Sequence, residues 1–210
     1  WTAIPTPKSI RPKSDRLLTV IRERVSRHAP DIDDGWIEAA ARVDSPNCDP
    51  RPPAVVVDVI VIHAISLPPG EFGGPYIHQL FTNRLDTAAH EYFQEIDKAP
   101  VSAHFLIDRE GTLTQFVDIR DRAWHAGPSC WEGRRACNDF SLGIELEGCD
   151  EAAFTDAQYH ALIDLIGVLM AYFPGITLER IVGHCHIAPE RKTDPGPHFD
   201  WTRLRRRLNA

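Results

Sequence analysis

Apolar positions along this chain change their period several times, and each change marks an element. Residues 55–63 are almost all β-branched and apolar, the pattern of a strand buried on both faces. Residues 141–146 predict a second strand and 181–185 a short third one. Residues 103–107 and 112–117 flank Arg109-Glu110-Gly111, which predicts a hairpin. Helical spacing governs other stretches. Leu17, Leu18, Ile21 and Val25 predict a short amphipathic helix that stops near Ala29-Pro30. Ala89, Tyr92, Phe93 and Ile96 share one side of a helix expected over 86–97. Thr155 with Gln158 makes a capping box for a helix running to Phe173 and stopped by Pro174-Gly175. A last helix is expected over 201–208. The connection over 66–75 is rich in proline and glycine and long enough to shape a cleft. Strands and helices mixed in this order predict an α/β (α+β) fold, one sheet covered by helices.

Bulk properties narrow the possibilities. A chain of 210 residues suits one domain, with an N-terminal extension over 1–34 ahead of a domain over 35–210. A domain of that size buries roughly 70% of its unfolded surface, so its core needs no disulfides. The net charge of −7 argues against nucleic acid as a partner. Basic clusters at Lys8–Arg27 and Arg203–Arg207 read as solvated helix faces. No apolar run approaches the ~20 residues that span a bilayer, and the proline-broken first residues lack a signal peptide's apolar core. Five cysteines, an odd number without a C-x-x-C pair, point to thiols in a reducing compartment, hence the cytoplasm.

Candidate chemistry concentrates over residues 183–197, where His184, Cys185, His186, Lys192 and Asp194 sit in a backbone stiffened by Pro189, Pro195 and Pro197. These are ligands for a divalent ion plus a cation for developing negative charge. Asp194 precedes a proline and is biased towards extended backbone, so Lys192 and Asp194 should face one site. His63 closes the strongest strand and opens the glycine-rich loop, a position where α/β sheets present functional groups. His184 has the same context at the end of 181–185. His63, His184 and Asp194 make three ligands of a kind zinc accepts, leaving one position open. Cys185 and His186 compete, and the Lys192 pairing favours Asp194 over His186. Glu145 and Glu147 alternate within an apolar strand. Glu147, near Gly148, fits a surface position, whereas Glu145 lies deeper, where burial raises its pKa towards that of a general base. Trp124 and His125 beside Gly127 could line the cleft, although a core Trp is the commoner outcome. His28, His78, His90 and His160 fall among polar residues and read as surface histidines.

Five segments carry a resemblance: Val61-Ile62-His63-x-Ile65-Ser66-Leu67-Pro68-Pro69-Gly70, Val101-Ser102-Ala103-His104, Ala123-Trp124-His125-Ala126-Gly127, residues 137–148 around Gly143-Ile144-Glu145-Leu146-Glu147-Gly148, and residues 183–196. In order and spacing, from about Gly35 to Leu204, they resemble the 1,6-anhydro-N-acetylmuramyl-L-alanine amidases (the AmpD family). That family is a branch of the type-2 N-acetylmuramoyl-L-alanine amidases related to peptidoglycan-recognition proteins. The resemblance implies a mixed β-sheet flanked by helices, zinc held by His63, His184 and Asp194, Glu145 as base, and Lys192 steadying the transition state. It implies a zinc amidase domain over 35–210 acting in the cytoplasm, as a monomer, on a small anhydro-muropeptide. Neither nucleic acid nor membrane is implied as a partner. Ala64 departs from the family's usual Asn, which puts one substrate contact in question, and Pro100 and Ala136 stand where some members have arginine. The same residues leave two alternatives: a broader amidase on intact peptidoglycan, and an inactive peptidoglycan-binding module.

Overall fold

The structure, a computed structural model, describes residues 32–96 and 100–210. The helix expected over 17–29 and the first basic cluster lie outside the described residues. The central sheet has six strands: β1 (Ala41–Arg42), β2 (Val59–Ile65), β3 (Phe105–Ile107), β4 (Leu113–Gln115), β5 (Ser141–Glu147) and β6 (Ile181–Gly183), in the order β6-β2-β5-β3-β4-β1. β6, β2, β5 and β3 are mutually parallel, β4 is antiparallel to β3, and β1 is parallel to β4. The helices are α1 (Tyr76–Phe81), α2 (Phe93–Ile96), α3 (Asp156–Tyr172), α4 (His184–Ile187) and α5 (Trp201–Leu208). The expected mixed sheet with flanking helices is therefore the observed architecture. Among the described residues no helix is long and apolar enough to cross a membrane.

Both long strands read as near-continuous apolar runs because both their faces are covered. Ile60 and Ile62 of β2 and Leu142, Ile144 and Leu146 of β5 pack on α3 through Leu162, Leu165, Ile166 and Leu169. The opposite face of β2 carries Val59 and Val61, which meet Ala126, Phe140, Val182 and Ile187. His63 and Glu145 continue that second face towards the carboxyl ends of the strands. α3 begins as its sequence requires: Thr155 Oγ1 accepts from Gln158 N at 3.1 Å while Gln158 Oε1 accepts from Thr155 N at 3.0 Å. α5 is capped by Asp200, and its Arg205, Arg206 and Arg207 are exposed, the solvated face expected of that cluster.

The hairpin is β3–β4, with Leu106 opposite Thr114. Three segments differ from expectation. Pairing of β2 starts at Val59, opposite Ser141, because Asp58 is held by Arg134 and Arg180 and Val56 stays exposed. Among the described residues of 86–97 only α2 is α-helical, since Asp86 Oδ1 takes the Ala88 N–H and His90 Nδ1 takes the Tyr92 N–H. Such local bonds offer the backbone an alternative to the helix. Helix α1 follows Pro75 directly and buries Ile77, Leu80 and Phe81, an element the loop-like sequence around it concealed. The Thr155→Ala protein should lose about 1 kcal/mol of stability, the usual worth of an N-cap hydroxyl. Urea unfolding of both proteins under identical conditions measures it, and an unchanged midpoint would contradict this role for the cap.

Candidate active site

The site begins with the register of β2 against β5. Glu145 pairs with His63 across these parallel strands, so both side chains leave the sheet on one face. Beside them Gly183 of β6 pairs with Ile62, and the chain turns into α4 at His184. This corrects the strand expected over 181–185. Pairing ends at Gly183 because the Cys185 N–H donates to the Asp194 carbonyl at 2.9 Å instead of to a neighbouring strand. The same bond returns Asp194 to the end of β6. His186, with Gly183 N–H donating to its Nδ1 at 2.8 Å, turns away to pack near Trp201 and takes no part in the trio.

His63 Nδ1 and His184 Nδ1 lie 3.0 Å apart, and each is 3.1 Å from Asp194 Oδ2. These three ligand atoms form the His/His/Asp group that could hold a metal ion, all within 4.8 Å of one another. The His184 Nε2 faces the Ala126 carbonyl at 3.1 Å. A carbonyl only accepts, so it favours the ring's proton on Nε2, while Arg191 Nη2, a donor, also lies 3.4 Å from that nitrogen. Ligands around a tetrahedral ion with bonds of ~2.0–2.2 Å stand about 3.3–3.6 Å apart, so the trio needs little adjustment to bind one. His63 is 1% exposed, and burial, helped by His184 and Lys192 and opposed by Asp194, pulls its pKa down to about 4. It is therefore neutral at pH 7, the form in which imidazole binds metal.

Glu145 is 9% exposed, with Oε1 4.0 Å from His63 Nδ1 and Oε2 buried without a hydrogen-bond partner. Burial first, then the negative charge of Asp194, push its carboxyl well above the usual range, while Lys192 pulls it partly back. Lys192 and Asp194 both line the same cleft, as their two-residue spacing predicted. That cleft encloses about 670 Å³. Leu80, Phe81, Tyr92, Ile96 and Trp124 give its lining an apolar part, Asp150, Arg191, Lys192 and Thr193 a polar part, and Ala64 lines it too. Trp124 is thus a cleft residue, its Nε1 donating to Asp49 at 3.1 Å.

Several side chains differ from their sequence reading. Glu147 is buried, not at the surface: its carboxylate accepts from Gly73 N at 2.6 Å and Arg109 N at 3.2 Å, tying the 66–75 loop to β5. His78 is half-buried against Phe116. His104 is enclosed, its Nδ1 accepting from Gly143 N and its Nε2 facing the Asp121 carbonyl. His125 is the outer neighbour of His63, with its Nδ1 2.9 Å from His63 Nε2. Burial and the surrounding imidazoles hold the His125 pKa well below the ordinary value, so it too is neutral. The only sequence signals for these roles were His104 and His125 themselves, each beside a small residue.

A buried carboxylate beside a convergent His/His/Asp trio, at the carboxyl ends of parallel strands, defines the class of metal-dependent hydrolases. Within that class the chain belongs to the N-acetylmuramoyl-L-alanine amidase family, whose profile matches residues 51–197. It is 54% identical over 174 residues to the 1,6-anhydro-N-acetylmuramyl-L-alanine amidase AmpD of Citrobacter freundii, covering 83% of this chain and 92% of the relative. It superposes on a crystal structure of a selenomethionine AmpD derivative with a TM-score of 0.83 at 53% identity, over 85% of this chain and 99% of that one. A more distant likeness is to the N-acetylmuramyl-L-alanine amidase AmiD from E. coli, in complex with the substrate anhydro-N-acetylmuramic acid-L-Ala-D-γ-Glu-L-Lys. That match has a TM-score of 0.54 and 30% identity, over 75% of this chain and 60% of that one.

Glu147→Ala should cost about 1–3 kcal/mol, because two backbone N–H groups lose a charged acceptor. Chemical denaturation measures the loss, and hydrogen exchange should rise at Gly73 and Arg109 before the rest of the sheet opens. Unchanged protection at both amides would contradict the anchoring role of this carboxylate.

Proposed function

We propose that this chain is a zinc-dependent amidase that hydrolyses the bond between the lactyl group of (1,6-anhydro-)N-acetylmuramic acid and L-alanine in muropeptides. It acts in cytoplasmic cell-wall recycling on a small-molecule substrate, as a monomer, through a domain over 35–210 that follows an extension over 1–34. The observation that carries this reading is the buried Glu145 carboxyl, its Oε1 4.0 Å from His63 Nδ1 and its Oε2 without a partner, next to the trio of His63, His184 and Asp194. The kinship with AmpD, and AmiD's complex with an anhydro-muropeptide, support the choice of substrate.

His63, His184 and Asp194 hold the zinc. When bound, the ion polarises the scissile carbonyl and acidifies a water to a pKa of ~7. Glu145 takes the water's proton and later delivers a proton to the leaving amine, a role its raised pKa suits. Lys192, on the cleft wall, meets the oxyanion that develops during attack.

Mass spectrometry of products from anhydro-muropeptide should show release of the L-alanine-headed peptide, abolished by chelator and restored by zinc. Glu145→Ala should lower kcat by roughly 10²–10⁴ with zinc still bound. Lys192→Ala should lower it by roughly 10²–10³, and Asp194→Ala should lose the metal. A Glu145→Ala protein working at the parent rate would mean the base is misassigned. Faster release from murein sacculi than from anhydro-muropeptide would favour a broader amidase, and a zinc-free native protein that retains muropeptide would favour a binding module.

A further inference from the structure

Loop 124–128 stands behind both histidines of the trio. The Ser141 hydroxyl donates its one proton to the Cys137 carbonyl at 2.6 Å, so only its lone pairs remain for the His125 Nε2, 3.3 Å away. That leaves His125 to donate from Nε2 and to offer Nδ1 as an acceptor. The group facing that acceptor, at 2.9 Å, is His63 Nε2. A proton held there leaves the His63 lone pair on Nδ1, the atom aimed at His184 and at Asp194 Oδ2, which at 3.1 Å competes for the proton. One residue further along the same loop, the Ala126 carbonyl faces His184 Nε2 at 3.1 Å and favours the same tautomer; it is itself held at 2.7 Å by Arg191 Nη2, which also stands 3.4 Å from that nitrogen.

The fold is built around this arrangement. Asn138 Oδ1 accepts the backbone N–H groups of both His125, at 3.2 Å, and Ala126, at 2.7 Å, so one side chain sets the height of the loop. The His125 ring lies across β5 at Gly143, where a Cβ would stand 2.7 Å from both its Cδ2 and its Nδ1. A glycine inside a central strand costs stability, and here it makes room for the ring.

We propose that His125 is a positioning residue that, through Ser141 and the Cys137 carbonyl, locks His63 in the Nε2–H tautomer, so that loop 124–128 presents both histidines to the metal through Nδ1. The inference rests on the reading of His63 and His184 as ligands. Partners of this kind are typically worth a factor of 10–100 in metal affinity.

Two measurements on the full chain test it. Long-range ¹H–¹⁵N correlation of the metal-free parent should show His63 and His184 protonated at Nε2 and bare at Nδ1. Competition with a chromophoric chelator should show zinc bound 10–100-fold more weakly by His125→Leu, and with most of the affinity recovered by His125→Asn, whose Oδ1 replaces the lost acceptor. Ser141→Ala, which frees His125 to reverse its tautomer, should fall between and show a mixed His63 signal; it serves where His125→Leu does not fold. A parent His63 protonated at Nδ1, or a folded His125→Leu protein binding zinc as tightly as the parent, would overturn the inference while leaving the ligands intact. A parent that takes up no zinc would instead overturn the ligand assignment beneath it.

Discussion

Everything at the site depends on one pairing, the parallel register that sets His63 of β2 opposite Glu145 of β5. Because side chains alternate strictly along a strand, a slip of one residue would turn Glu145 into the core and replace it with Ile144 or Leu146. The register is therefore held by the other face. Ile60, Ile62, Leu142, Ile144 and Leu146 must all meet α3, and any slip would expose that whole set to the polar face. The burial that stabilises the sheet and the placement of the reactive groups are consequences of one alternation.

Burial of polar groups is expensive unless each is hydrogen-bonded, and several buried groups here find partners far along the chain. Gln115 binds Ile37 N, Gly35 O and Val117 O, tying the segment at 35–37 to the sheet. Arg51, whose pKa burial lowers to about 10, reaches the carbonyls of Asn138, Asp139 and Ser141. His104 and Glu147 are likewise provided for by backbone groups. Among the described residues four buried side-chain atoms lack a partner, Arg51 Nε, Gln79 Oε1, Trp131 Nε1 and Glu145 Oε2, and of these residues only Glu145 lines the cleft. The paired groups brace the structure, and the unpaired carboxyl of Glu145 is the one that stands at the site.

The convergence of the trio, and the place of Glu145 and Lys192 in the same cleft, were legible because the residues are concentrated: a short stiff segment near the carboxyl end, one strand-end histidine, and one carboxyl inside an apolar run. The long strands, the hairpin and the capped helix were legible for a related reason, since their periodicity and turn residues act locally. What escaped is set by contacts between distant parts of the chain. Glu147 looks like a strand-end surface residue until the 66–75 loop folds back onto it. His184 looks like the end of a strand, but the Asp194 carbonyl captures the next amide and starts a helical turn. Helix α2 is short because Asp86 and His90 use side chains to bind backbone that a longer helix would have needed.

The segments also differ in what they contribute to the electrostatics of the site. Asp194 Oδ2 stands 3.1 Å from the Nδ1 of both His63 and His184, so one carboxylate oxygen turns the two rings towards a common point. A proton on either Nδ1 would exchange metal ligation for an internal hydrogen bond to that oxygen. Loop 124–128 opposes that exchange on both rings, through His125 on one and the Ala126 carbonyl on the other. Bonds made behind the histidines and the packing of β5 around Gly143 thus favour ligation at Nδ1 over the internal hydrogen bond.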